Sequence, residues 1–279
     1  MLRDVYRDCR QKLKDGGIEN ADFEALCIIE HATGFDRTAL IARGDSPVSE
    51  AQKQAIDTYT KKRLTRYPLQ YILGEWSFMG FELEVGEGVL IPRDDTEVCV
   101  GLCLGYLKNK PGAKAVDLCS GSGAIAIALE KLGKADVTAI ELSDAAFNFL
   151  KKNIAKNNCR INAVHGDVLT CHKAFDNGSL DLIVSNPPYI KRSELGGLQT
   201  EVRFEPNMAL DGGESGFDFY EAMIRDWSSK LKRGGALVFE LGEGQAETVA
   251  EMMKAAGFAE IRTEKDFGNC ERAIIGIKA

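Results

Sequence analysis

The residues with the most specific chemistry in this sequence are Asn186, Pro187, Pro188 and Tyr189, directly after the apolar run LDLIVS at 180–185. Two adjacent prolines fix φ and remove two backbone donors, so this stretch offers carbonyls that can only accept hydrogen bonds. The Asn186 side chain adds a further acceptor. Asn186 Oδ1 with the Pro187 carbonyl suits a planar NH2 group whose lone pair is delocalised. Holding both N–H bonds aims the nitrogen at an electrophilic methyl and favours charge developing on it. Tyr189 is placed to stack on the amide or base plane. No metal or general base is needed, because a sulfonium donor is already activated and the product nitrogen sheds its proton to solvent. The bland alternative is a proline turn whose asparagine bonds its own backbone.

A second group sits earlier in the chain. SGSGAIA at 120–126 follows the run AVDLC and opens a helix, so Gly121 and Gly123 allow close backbone approach to a nucleotide cofactor. A helix N-terminus accepts an anion, either the pyrophosphate of NAD or the carboxylate of S-adenosylmethionine. Glu141 closes the next strand, where a carboxylate accepts both ribose hydroxyls. Asp167 ends the third, at HGDV, where it meets an adenine amino group. The loop alone fits either cofactor. Hydride transfer has no use for the acceptor array, which selects S-adenosylmethionine.

Both groups must be held at strand ends, and the pattern supplies the strands. Short apolar runs AKAVDLC, ADVTAIE, INAVHGD, LDLIVSN and GALVFELG alternate with helical stretches, as a parallel sheet covered on both faces requires. FAEIRTEKD and ERAIIGIKA are separated by too few residues for a parallel crossover and must pair antiparallel. Residues 1–67 have helical spacing, with helix-start signals at Asn20 and Ser49. Residues 68–94, where aromatic and β-branched residues alternate around glycines, read as a β-hairpin linker to the sheet of 95–279.

The 279 residues, 44% apolar and 28% charged, describe a globular protein with room for two cores. A net charge of −7 repels phosphate backbones, so duplex nucleic acid is not the expected partner. The longest apolar stretch, 98–107, is about half a membrane span, and the N-terminus lacks an apolar signal region. Eight scattered cysteines without a CxxC pair, and three distant histidines, imply reduced cytoplasmic thiols and no metal site. Cys99 and Cys103, one helical turn apart, are expected in the core. The basic run KKRLTR at 61–66 is expected to be a solvated helix face.

Over nearly its whole length the chain resembles the PrmC/HemK family, protein-(glutamine N5) methyltransferases acting on bacterial peptide-chain release factors. The resemblance is carried by PLQYILG (68–74), VLIPR with DTE (89–97), DLCSGSGAIAIAL (117–129), LIVSNPPYI (182–190) and EPNMALDGG (205–213). It implies an α/β S-adenosylmethionine-dependent methyltransferase fold of seven strands, the last antiparallel, behind a small helical domain; that domain, residues 1–67, is expected to recognise the substrate, because every cofactor signature lies from Ser120 onward. It further implies cofactor contacts at Cys119, Ser120, Gly121, Ser122, Gly123, Glu141 and Val168, beside Asp167 and Asn186, with Asn186, Pro187, Pro188 and Tyr189 holding the glutamine of a Gly-Gly-Gln loop. A class I release factor is the implied partner and a monomer the implied state. Asp94 stands where the family has proline, and Glu141 where aspartate is usual. The competing readings are an adenine N6 or guanine N2 methyltransferase, since the NPPY motif handles any planar amine, and a cofactor-binding protein that methylates nothing. The acidic balance counts against the first, the intact motif against the second.

Overall fold

The computed structural model describes residues 1–279, which divide into two compact units: Met1–Glu75 with Gln199–Phe204, and Trp76–Leu198 with Glu205–Ala279.

The first unit is helical: α1 (Leu2–Asp15), α2 (Ala21–Thr33), α3 (Arg37–Ala42), α4 (Glu50–Leu64) and α5 (Leu69–Leu73). Leu2, Leu13, Ile28, Ile29 and Ile56 form its buried face. Ser49 starts α4 with a capping box completed by Gln52. Asn20 precedes α2 without a side-chain cap. Helix α5 lies inside the segment expected to be hairpin linker. Pro68 sets the entry and Gly74, in the left-handed conformation, the exit, so one turn of helix fits where alternation suggested strand. The basic run also differs from expectation. Lys61 and Lys62 are exposed, but the Arg63 side chain is only 7% exposed, paired with Glu24 and Glu201. Glu201 belongs to the segment Gln199–Phe204, far away in sequence, which is why no local pattern disclosed it.

The second unit opens with a hairpin, β1 (Glu75–Phe78, its first residue the last of Met1–Glu75) and β2 (Phe81–Glu84), which turns through Met79 and Gly80, both at positive φ. There follow α6 (Thr96–Leu107), β3 (Lys114–Leu118), α7 (Ala124–Lys131), β4 (Asp136–Glu141), α8 (Asp144–Lys156), β5 (Asn162–His165), α9 (Val168–Cys171), β6 (Leu180–Ser185), α10 (Asp218–Trp227), β7 (Leu231–Glu240), α11 (Ala246–Ala255), β8 (Phe258–Lys265) and β9 (Glu271–Lys278). The seven-stranded sheet has the order β5-β4-β3-β6-β7-β9-β8, with β9 antiparallel to both neighbours. Alternate residues feed two cores. Ala115, Leu182, Val184 and Val238 join one face with Cys99 and Cys103 of α6; Val116, Leu118, Ile183 and Phe239 join the other with Trp227 and Val249. Both cysteines are fully buried, as core packing requires.

Chain order reverses between β3 and β6, the place where an open parallel sheet leaves a crevice at its carboxyl end. Leu118 pairs with Ser185 there, and Ser185 Oγ donates to the Leu118 carbonyl at 2.7 Å. The glycine loop and the NPPY stretch therefore leave the sheet side by side.

Candidate active site

At that crevice lies a cavity of about 410 Å3. Its wall combines Cys119, Ser120, Gly121, Ser122, Glu141, Asp167 and Val168 with Asn186 and Pro188. Two motifs separated by a whole βαβ unit thus share one space.

The glycine loop is shaped by two acids. Glu141 Oε2 accepts from Gly121 N–H at 2.8 Å, and Oε1 accepts from Ser143 N–H at 2.7 Å. The carboxylate expected to hold a ribose also fixes the loop that faces it, and keeps lone pairs for further donors. Asp117, fully buried at the end of β3, accepts from Ala126 N–H at 3.1 Å through Oδ2, while Oδ1 has no partner. Burial pushes its carboxyl up to about 8. Burial also raises the Cys119 thiol, keeping it neutral. A Cβ at Gly121 would meet only open space, so the backbone there is accessible to a ligand. Gly123 is different: it is the N-cap of α7 at φ 86, off the cavity wall, where a Cβ would lie 2.6 Å from Leu150. The absence of a side chain there serves close packing of the helices. Asp167 caps α9, its Oδ1 accepting from Leu169 N–H, and Val168 is buried with its carbonyl bonded to Trp227 Nε1.

On the other side, Asn186 Nδ2 donates to Thr96 Oγ1 at 3.4 Å. Pro188 reaches the wall; Pro187 and Tyr189 do not. The Tyr189 ring, expected on the substrate plane, turns into the protein, its hydroxyl 3.5 Å from Glu240 Oε1 and its ring edge against Gly242. The ring supports the motif from behind.

EPNMALDGG supplies the rest of that support. Ile190 and Asp211 form a parallel bridge, with Ile190 N–H donating to Leu210 O and Gly212 N–H to Ile190 O. Gly212 lies so close that a Cβ would sit 2.7 Å from Tyr189 Cα. Gln245 Nε2 donates to the Tyr189 and Gly216 carbonyls. Glu205, its side chain 1% exposed, accepts from Ile91 N–H and pairs with Arg93, holding VLIPR against the cavity. Burial raises the Glu205 carboxyl and Arg93 opposes that rise. Asp94, in place of the family proline, is exposed and its carbonyl accepts from Glu97 N–H, so the helix start is kept. Asn153, fully buried, ties Glu84 of the hairpin to the Ser122 carbonyl of the loop.

Sequence reasoning passed over Thr96, Asp117, Glu205 and Glu240 as individual site residues. The available signal was an acid at or next to the carboxyl end of an apolar run, as Asp117 in AVDL and Glu240 in ALVFE are. No group of His, Cys, Asp and Glu is placed to hold a metal ion, and no helix is long and apolar enough to cross a membrane.

The donor set fits S-adenosylmethionine: a carboxylate on the cavity wall at the end of β4, an accessible glycine backbone at a helix N-terminus, and a partly apolar wall. Residues 4–74 match the family described as PrmC N-terminal domain, and residues 94–202 match the methyltransferase small domain. The release factor glutamine methyltransferase of Geobacter sulfurreducens is 39% identical over 278 residues, covering 99% of this chain and 96% of its own. That of Clostridium botulinum is 33% identical, covering 98% of each. Among solved structures, a methyltransferase from Pyrococcus furiosus has TM-score 0.54 at 20% identity over 73% of this chain and 91% of its own, a likeness of fold.

Proposed function

Because the chain belongs to the release factor glutamine methyltransferase family, we propose that it methylates the side-chain amide nitrogen of a glutamine in a bacterial class I release factor. The enzyme uses S-adenosylmethionine, which supplies an electrophilic methyl on a sulfonium. The observation that carries the reading is Asn186: it lines the same cavity as Glu141 and the glycine loop, with its Nδ2 turned to Thr96.

Glu141 and the loop at Cys119, Ser120, Gly121 and Ser122 hold the donor end, with Asp167 and Val168 at its adenine. Asn186 Oδ1, on the cavity wall, accepts one N–H of the glutamine amide, and the carbonyl of Pro187, between the two wall residues Asn186 and Pro188, accepts the other. Their attraction grows as positive charge develops on nitrogen, which is where stabilisation accelerates the reaction. Pro188 and the LDGG segment keep those oxygens from relaxing, so little reorganisation is required. The methylated nitrogen then releases a proton to solvent. The helical unit recognises the release factor, since the donor and acceptor motifs all lie outside it. The protein acts as a cytoplasmic monomer on the Gly-Gly-Gln loop, and its net charge of −7 disfavours duplex nucleic acid.

The test is transfer of label from methyl-labelled S-adenosylmethionine to a release factor and to its variant lacking the loop glutamine. Label on the intact factor alone is expected; equal label on the variant refutes the assignment.

A further inference from the structure

Glu240, the last residue of β7, is 1% exposed and does not line the cavity. Its Oε1 takes a long hydrogen bond from Tyr189, and Oε2 is left without a satisfying hydrogen bond of its own. The Thr96 hydroxyl faces the same carboxylate and favours its charged form. Thr96 Oγ1 is also the acceptor for Asn186 Nδ2. A carboxylate, a hydroxyl and an amide therefore stand in series.

The chemistry gives that series a direction. An ionised carboxylate only accepts, so it draws the single hydroxyl hydrogen of Thr96. What Thr96 then offers Asn186 is a lone pair, which takes the NH2 end of the amide and turns Oδ1 the other way. An asparagine amide has nearly the same shape in either orientation, so shape alone does not choose between them. We infer that Glu240 is a positioning residue whose negative charge, relayed through Thr96, fixes the Asn186 amide with its oxygen toward the substrate nitrogen. The inference rests on the reaction proposed above.

A protonated Glu240 reverses the series. It donates to Thr96, the Thr96 hydrogen turns to Asn186, and the amide presents NH2 to a substrate that is itself a donor. Around Glu240 stand Thr96 and Cys99 of α6, Asp95 before it, Arg272 of β9, Tyr189, and Tyr220 of α10, whose hydroxyl donates to the Glu240 carbonyl. Burial pushes the carboxyl up to about 7, with Thr96, Arg272 and Tyr189 opposing and Asp95 reinforcing. The acid form is the inactive one, so turnover rises with pH through about 7. The Asp117 carboxyl is also pushed up, to about 8, so only the part of the acid limb that depends on Glu240 belongs to this device.

The experiment is single-turnover methylation of a release factor at saturating S-adenosylmethionine across pH, using the full chain and its Glu240→Gln, Glu240→Asp, Thr96→Val and Thr96→Ser variants. Glu240→Gln and Thr96→Val are each expected to lose roughly tenfold to a hundredfold in rate, the worth of one charge-assisted hydrogen bond. Cofactor affinity is expected to stay within about threefold, since the glycine loop is untouched. The Glu240-dependent limb disappears in Glu240→Gln and persists in Glu240→Asp, and Thr96→Ser stays near the wild type. The double variant Glu240→Gln/Thr96→Val is no slower than its slower parent, because both break one series. An unchanged rate or an unchanged acid limb in Glu240→Gln overturns the inference. Rate and cofactor affinity falling together, without rescue by aspartate, show a merely structural acid and overturn it too. In parallel, the side-chain amide of Asn186, assigned by its loss in Asn186→Ala, is followed by 15N NMR. Hydrogen exchange is expected to be slow in the wild type and fast in Glu240→Gln. This reports on the amide even if the release factor proves not to be the substrate.

Discussion

Replacing Glu141 with alanine separates the loop-fixing role seen for its carboxylate from the ribose-binding role proposed for it. In the protein alone, the substitution removes two short hydrogen bonds, from Gly121 N–H at 2.8 Å and Ser143 N–H at 2.7 Å. Both donors belong to cavity-lining residues, so water can replace the lost acceptor, and the stability cost is expected at about 1–2 kcal/mol in total rather than the full value for two buried bonds. The ligand loses more. Two ribose hydroxyls on a carboxylate contribute about 1.5–3 kcal/mol each before water takes their place, leaving about 3 kcal/mol, or roughly a hundredfold in Kd. Calorimetric titration with S-adenosylmethionine and its demethylated product measures this, and a thermal melt on the same sample measures the fold. Adenosine, which carries the ribose but neither the amino acid nor the sulfonium, should lose affinity by the same factor. Glu141→Asp, the residue usual in the family, should stay within about tenfold of the wild type. A Kd for Glu141→Ala within threefold of the wild type, with the fold intact, refutes ribose binding by this acid.

Asn186→Ala should lower single-turnover methylation by about a hundredfold to a thousandfold, as removal of one preorganised partner of a developing charge does, with cofactor affinity nearly unchanged; a wild-type rate refutes the acceptor array. Asp117 and Glu240 have carboxyls pushed up to about 8 and about 7, so the folded state keeps two protons that the unfolded chain has released, and stability falls as pH rises from about 4.5 through 8. Denaturant midpoints from pH 5 to 9 should show that fall, and Asp117→Asn should flatten most of it above pH 7; equal slopes refute the burial account. Arg63→Ala leaves Glu24 and Glu201 without their buried cation and should destabilise the helical unit by about 3 kcal/mol, while S-adenosylmethionine titration stays unchanged; an unchanged melt refutes the importance of that cluster.

The parts legible in the sequence were those written in local pattern. Alternating runs announced every strand of the sheet, the short gap at 267–270 announced the antiparallel end, and the glycines after β3 announced a ligand loop. Local pattern failed where a distant residue decided. Arg63 looks like one more surface cation until Glu24 and Glu201 close on it. Tyr189 looks like a substrate platform until Gly242 and Glu240 give its ring and hydroxyl a place inside. Gly123 matches a ligand-loop glycine, yet it is Leu150 of α8 that forbids a side chain there. Helix α5 was hidden for another reason: five residues are too few to show a helical period.

The hydrogen bonds from Gln245 to the Tyr189 and Gly216 carbonyls place the acceptor side of the cavity under control of the last part of the chain. During synthesis, N-terminal segments leave the ribosome first. Once β3, β4 and α9 have emerged, the chain already contains Gly121, Glu141, Asp167 and Val168, although Trp227, which binds the Val168 carbonyl, has yet to follow. Asn186 follows soon after, but the supports behind it, from Glu205 through Gln245, arrive only with α11. The residues proposed for the cofactor therefore precede the supports of the acceptor side in the order of synthesis, and a chain stopped between them has no rigid place for a substrate.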